Sequence, residues 1–250
     1  MRSTRVKRVT ETVGLILGSG YERLGFEVLT RSPTKTPYGE PSSAVLTLGI
    51  GGARVPCIVR HGERHEYAPH EINYRANVWA LAQRGIGACV GINTVGGIAS
   101  ELVPGDLAVP DQLIDYTSGR VTTFGGAGSP VVHAEFTEPF APALRARLAD
   151  AVAATGLAVH AGTYGVTQGP RLETAAEIRR LRRDGCAMVG MTAMPEAALA
   201  RELALDYAVL AVVVNHAAGC APEGVSIGAE IERFLERGLR RAADVVVRLA

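Results

Sequence analysis

Six short segments carry side chains suited to holding an anion or a polar ring, and most of them follow an apolar run of strand length. Leu17-Gly18-Ser19-Gly20 closes the first such run. Its glycines let the backbone turn tightly, so that N–H groups and the Ser19 hydroxyl can face an anion. A dinucleotide fingerprint would want a third glycine where Arg23 stands, which disfavours a Rossmann cofactor site and leaves a plain strand-to-loop turn as the bland account. Arg60-His61-Gly62-Glu63-Arg64-His65 caps the apolar run Val55 to Val59. A guanidinium and an imidazole at a strand's end make a phosphate clamp, because arginine's fork matches phosphate oxygens. The histidines form no H-E-x-x-H motif, and no metal site is expected.

The other four segments are Asn93-Thr94-Val95-Gly96-Gly97, Thr167 to Thr174, Val189 to Glu196 and Val212 to Gly219. The first reads as a glycine-rich strand-to-helix connection whose small residues admit a ligand close to the backbone. The second opens a helix and is expected to put Glu173 in its first turn. The third is a strand running into a helix started by Pro195. Glu173 and Glu196 both read equally well as ordinary first-turn acids favoured by the helix dipole. In the fourth, Asn215 ends a β-branched run, where water or a ligand must satisfy its amide.

Strands are expected at 14–17, 44–48, 55–60, 88–92, 106–109, 187–191 and 207–215, and amphipathic helices at 71–84, 139–154, 174–183, 195–203 and 229–249. In the last helix Ile231, Leu235, Leu239, Ala242, Val246 and Leu249 keep the spacing of one buried face. This alternation argues an α/β fold, a sheet covered by helices. Residues 1–12 read as a basic N-terminal extension and 13–250 as one domain; residues 116–130 read as a long loop and candidate lid.

Composition narrows the chemistry. With 26 basic against 25 acidic side chains, the net charge of +1 excludes a polyelectrolyte surface for nucleic acid. Lys7 and Lys35 are the only lysines, which removes a Walker A loop and makes a Schiff-base enzyme untenable. Cys57, Cys89, Cys186 and Cys220 are far apart, without the pairs that zinc wants. No run approaches the ~20 apolar residues of a membrane span. A reduced, cytoplasmic protein is expected.

Together the six segments resemble the trimeric branch of the purine nucleoside phosphorylase / methylthioadenosine phosphorylase family. Arg60-His61-Gly62, 73–81 (Asn-Tyr-Arg-Ala-Asn-Val-Trp-Ala-Leu), 167–171 (Thr-Gln-Gly-Pro-Arg) and 190–196 (Gly-Met-Thr-Ala-Met-Pro-Glu) are the most specific. The resemblance spans nearly the whole chain. It implies an α/β fold with a mixed central sheet flanked by helices, a homotrimer, and no metal or organic cofactor. The implied reaction is displacement of a purine from C1′ of a nucleoside by inorganic phosphate.

Carried over residue by residue, phosphate should lie among Ser19, Arg60, His61, Asn93, Thr94 and Thr192. The sugar should rest against Met191. The base should meet Asn215, His216 and Ala217, with Val95, Gly96, Leu172 and Glu173 beside it. Arg60, His61 and Asn215 are expected to carry catalysis, and no protein nucleophile is required.

Adenine-type members carry aspartates where this chain reads Asn215-His216-Ala217. An asparagine amide can donate to O6 and accept from N7–H, while Glu173 accepts from N1–H, so a 6-oxopurine is expected. Plain nucleoside phosphorylases place a histidine near the 5′ hydroxyl. Here 224–228 offers Ile227, an apolar wall that favours a methylthio group. His133 is expected to reach a neighbouring subunit's site over that end. The implied substrate is 5′-methylthioinosine; inosine or guanosine, and methylthioadenosine, remain the alternatives. Ser19 stands in place of a threonine, Leu172 of a phenylalanine and Thr94 of an alanine.

Overall fold

In the structure, a computed structural model describing residues 12–126, 128 and 130–250, fifteen elements follow one another. They are β1 (Val13–Leu17), β2 (Glu27–Ser32), β3 (Val45–Ile50), β4 (Ala53–Val59), α1 (Tyr74–Ala82), β5 (Ala88–Gly97), β6 (Leu107–Ala108) and β7 (Gln112–Asp115), then α2 (Pro142–Ala153), β8 (Thr163–Val166), α3 (Ala175–Arg183), β9 (Cys186–Gly190), α4 (Ala193–Glu202), β10 (Asp206–His216) and α5 (Ile227–Leu249). Residues 1–11 of the expected basic extension lie outside the described residues.

The strands form one ten-stranded mixed sheet, ordered β2-β3-β4-β1-β5-β9-β8-β7, with β10 on β5 and β6 on β10. Burial on both faces explains why the central strands read as unbroken apolar runs. Alternate side chains serve opposite faces. Along β10, Ala208, Leu210, Val212 and Val214 join a core under α2 and α5, while Tyr207, Val209, Ala211 and Val213 join one under α1 and α4.

Three strands were not expected: β2, β7 and β8. Two of them, β2 and β7, are edge strands at the ends of the main strand path, where polar side chains are favoured and the apolar signal is weak. The third, Thr163–Val166, is only four residues long. β5 is longer than expected. Asn93 to Gly97, read as a connection, is strand, because β10 pairs with it as far as His216. A Cβ at Gly96 would lie 3.2 Å from Asn215 Nδ2, so the glycine serves close strand packing within the sheet.

The loop read as a candidate lid is tied down over part of its length. The Ser118 N–H donates to Gln168 Oε1 at 3.2 Å, the Phe124 N–H to Glu202 Oε2 at 2.8 Å, and the Phe124 ring tilts against Tyr38.

Candidate active site

The site forms where two strands meet end to end on a third. β1 pairs parallel with β5 as far as Leu17 opposite Ile92, and β9, running the other way, joins β5 with Val189 opposite Gly96. The carboxyl ends of β1 and β9 therefore point at each other across Asn93 to Val95. The segments that follow them open a cavity of about 560 Å³, a switch point where ligands of open α/β sheets settle. β4 delivers Arg60 beside Leu17, its N–H bonded to the Leu17 carbonyl at 2.9 Å. On the far side of β5, Asn215 lies opposite Gly96 just past a register shift that re-aims it.

Ser19, Arg60, His61, Thr94, Val95, Gly96, Leu172, Glu173, Met191, Thr192, Asn215, Ala217 and Ile227 all line this cavity. Asn93 stands behind them: its Oδ1 accepts from Arg60 Nη2 at 2.7 Å and its Nδ2 donates to Thr192 Oγ1 at 3.3 Å. Two expected residues lie elsewhere. His216 turns to Glu230, Nδ1 to Oε1 at 2.7 Å, and His133 is exposed and outside this cavity.

At the anion end the arginine differs from its expected geometry. Arg60 is 1% exposed, and its fork closes on Glu196 rather than on the cavity, with Nε to Oε1 at 2.5 Å and Nη2 to Oε2 at 3.0 Å. Nη1 also donates to the Ile92 carbonyl at 3.2 Å. With Asn93, four of the five N–H groups are committed, leaving one on Nη1. Gly18 is required here, since a Cβ would come within 2.8 Å of that nitrogen.

Burial disfavours the guanidinium charge, and the Glu196 carboxylate more than offsets it, raising the Arg60 pKa. Tyr207 donates its phenol to Glu196 Oε2 at 2.7 Å. Glu196 is thus no ordinary first-turn acid: fully buried, it spends its charge on Arg60.

His61 donates its Nδ1–H to the Tyr67 carbonyl at 2.9 Å. Burial, then the neighbouring Arg60 charge, pull its pKa down to about 4, so the ring is neutral near pH 7. A neutral ring with its proton on Nδ1 leaves Nε2 as an acceptor. His65 also lines the cavity, stacked on His61 with ring centroids 4.7 Å apart.

Glu173 precedes α3 instead of entering its first turn. Thr174 caps that helix, with Glu177 completing a capping box. Relieved of helix duty, Glu173 accepts from Thr167 Oγ1 at 2.5 Å. Asn215 donates one amide N–H to the His216 carbonyl at 2.7 Å, which fixes the amide plane and leaves Oδ1 and the second N–H for a ligand.

α5 contributes Ile227, Ile231 and Leu235 to the lining, one apolar stripe at spacings of four. Sequence reasoning found Ile227 and assigned the other two to the core face, although the spacing carried the signal. Neither Glu196 nor Tyr207 could be joined to Arg60 by spacing, since 136 residues separate Arg60 from Glu196. Among the described residues, no group of three or more His, Cys, Asp or Glu side chains is placed to hold a metal. None of their helices is long and apolar enough to cross a membrane.

The phosphorylase superfamily profile matches residues 12–250. A probable S-methyl-5′-thioinosine phosphorylase of Pseudomonas syringae pv. tomato is 48% identical over 94% of this chain and 96% of its own. A 6-oxopurine nucleoside phosphorylase of Pyrococcus furiosus is 45% identical over 83% of this chain and 80% of its own. Among solved structures, a methylthioadenosine phosphorylase of Schistosoma mansoni in complex with adenine superposes with a TM-score of 0.88 and 30% identity, covering 96% of this chain and 91% of its own.

Proposed function

Since the chain belongs to the phosphorylase superfamily, we propose that this pentosyltransferase of the purine nucleoside phosphorylase type cleaves 5′-methylthioinosine with inorganic phosphate. The products are hypoxanthine and 5-methylthioribose 1-phosphate. The observation that carries the substrate is one cavity presenting the Asn215 amide and Glu173 carboxylate to a base, together with the Ile227, Ile231 and Leu235 stripe. A 6-oxopurine offers O6 as acceptor and N1–H as donor, which those two groups complement; adenine reverses both and would leave them unpaired, at ~1–3 kcal/mol apiece.

Phosphate sits in this reading among Ser19, Thr94, Thr192 and the remaining Arg60 N–H, with Asn93 holding Arg60 and Thr192 in place. His61 Nε2 accepts a hydrogen bond from the P–OH of the hydrogen phosphate dianion, turning its unprotonated oxygens toward C1′. Cleavage builds positive charge on the sugar, against which the dianion lies. The departing purine carries negative charge, which the Asn215 N–H stabilises at O6, and once solvent water protonates N7 the Asn215 Oδ1 accepts from N7–H of the neutral base. Met191 supports the sugar. Orientation and electrostatics suffice, without a covalent intermediate on the protein.

Phosphate is a co-substrate in this scheme, and no organic cofactor or metal is needed. Four free cysteines, three of them buried, suit a reducing cytoplasm. His133, exposed and outside its own chain's cavity, suits a homotrimer in which it reaches the neighbouring site.

The test is release of hypoxanthine or adenine from methylthioinosine, inosine and methylthioadenosine, with and without phosphate. Methylthioinosine should lead by about tenfold, or ~1.4 kcal/mol in the transition state. Equal turnover of inosine would return the enzyme to general 6-oxopurine phosphorolysis, and faster methylthioadenosine would overturn the base reading. Release that persists without phosphate would make it a hydrolase.

A further inference from the structure

Arg120 lies outside the cavity lining, yet its guanidinium touches backbone from two of the cavity's walls. Nη1 donates to the carbonyls of Met191 at 2.7 Å and Met194 at 2.6 Å, and Nη2 to that of Gln168 at 2.9 Å. Met191 and Thr192 stand on the sugar and anion side, whereas Gln168 begins the short segment that presents Leu172 and Glu173 on the base side. A third wall is reached through Tyr74. Its ring lies under the Arg120 guanidinium at 5.4 Å, its phenol oxygen meets Nη1 at 3.3 Å, and its own proton goes to the Pro69 carbonyl at 2.7 Å. Pro69 ends the stretch that carries His61 and His65 and itself lines the cavity.

Among the described residues no carboxylate lies within 4.0 Å of Arg120, and its buried Nε has no hydrogen-bond partner. A half-buried guanidinium normally closes on an acid, as Arg60 does here. This one spends its donors on main-chain oxygens from segments distant in sequence. The planar fork sets two nitrogens in fixed directions, Nη1 on Met191 and Met194 and Nη2 on Gln168; a lysine carries its three donors on one nitrogen and lacks that geometry. Main-chain acceptors also fix the backbone itself, and with it the directions of side chains that follow.

We propose that Arg120 is a positioning residue that holds the base-side, sugar-side and histidine-bearing walls in catalytic register from behind the cavity. The proposal rests on the phosphorylase reading of that cavity, whichever nucleoside proves to be the preferred substrate. Arg120 touches no substrate in this scheme and acts through Met191, Gln168 and Tyr74. A displacement of about 1 Å between the groups holding phosphate and base is worth roughly 100-fold in rate, so losing the tie should be visible in turnover.

The experiment compares wild type with R120A and R120K on the nucleoside that wild type turns over fastest. It measures kcat, KM for both substrates, the melting temperature, and the melting shift induced by phosphate and by hypoxanthine. Expected are a fall in kcat/KM of roughly 10- to 100-fold in R120A, shared between kcat and KM, with smaller melting shifts from phosphate and hypoxanthine, and comparable changes in R120K. Millimolar guanidinium should recover R120A several-fold where equal sodium chloride or urea does not, a response that simple loss of stability would not give.

Full activity in R120K would overturn the proposal, since charge alone would then suffice. So would R120A activity within about twofold of wild type, or rescue no better by guanidinium than by salt. Should R120A fail to fold, R120K, which keeps stem and charge, decides the question. If wild type turns over no nucleoside, the functional reading falls while the ligand-induced melting shifts still test Arg120: retained shifts in both variants reject it.

Discussion

Arg60 and Glu196 form a two-point ion pair in a place that water does not reach, 1% and 0% exposed. The carboxylate turns the guanidinium's fork away from the cavity and orients the single N–H left beside Gly18. Arg60 therefore offers its ligand a fixed direction and a nearby charge, in place of the two-pronged grip its sequence context suggested.

Glu196→Gln keeps the shape and removes the compensating charge. Removing one partner of a buried pair costs about 3–5 kcal/mol. Urea unfolding should show a loss of that size, accompanied by a raised KM for phosphate. Wild-type stability in this variant would mean that the pair is neutral to folding.

His61 makes stability depend on pH with a definite sign. Its folded pKa is about 4 against 6.5 when unfolded, so between those values the unfolded chain binds the extra proton. Its contribution is complete above pH 6.5 and is lost as pH falls toward 4, amounting to about 3 kcal/mol. The stability difference between pH 7 and pH 4.5 should therefore be smaller in His61→Asn than in wild type. Identical differences would show that His61 titrates normally.

Asn215→Asp places an acceptor where O6 would sit. The ratio of 6-oxopurine to adenine turnover should fall by about 1–3 kcal/mol, roughly tenfold or more, as judged from kcat/KM on methylthioinosine and methylthioadenosine. An unchanged ratio would move base recognition away from Asn215.

Ile231→Asn puts an amide into the α5 stripe. The preference for methylthioinosine over inosine should drop by about 1–3 kcal/mol, with inosine turnover the less affected. If both substrates suffer equally, the stripe supports the fold and does not select the 5′ group.

How much of this could be read from the chain follows a physical division. That Ser19, Arg60 and Asn215 line the cavity is legible because each ends or closely follows an apolar run, and the ends of buried strands are where open sheets bind ligands, whereas Thr94 and Thr192 come from the family resemblance alone. Ile231 and Leu235 were visible as a stripe, but periodicity says which residues share a face without saying whether that face meets core or cavity. The partnership of Glu196, Tyr207 and Arg60 has no local signature at all, because it depends on two strands and a helix brought together by the sheet. Glu173 was misplaced by two residues since Thr174 and Glu177, which cap α3 together, were not recognised as a capping box. The edge strands β2 and β7 were missed because edges carry the mixed polarity that guards against pairing with other chains.

The pairing of β5 with β10 sets Ala88 opposite Asp206 and Asn215 opposite Gly96, joining stretches of chain made far apart in time. Such distant pairings raise the contact order of a fold and slow its search for the native state. An emerging polypeptide can assemble β1, β4 and β5, and with them the Arg60 side of the cavity, well before Glu196 exists to neutralise that arginine. During synthesis the N-terminal half thus holds a cation that favours solvent over burial until α4 and β10 arrive. Burial of Arg60 is therefore a late step of folding, set by elements near the C-terminus.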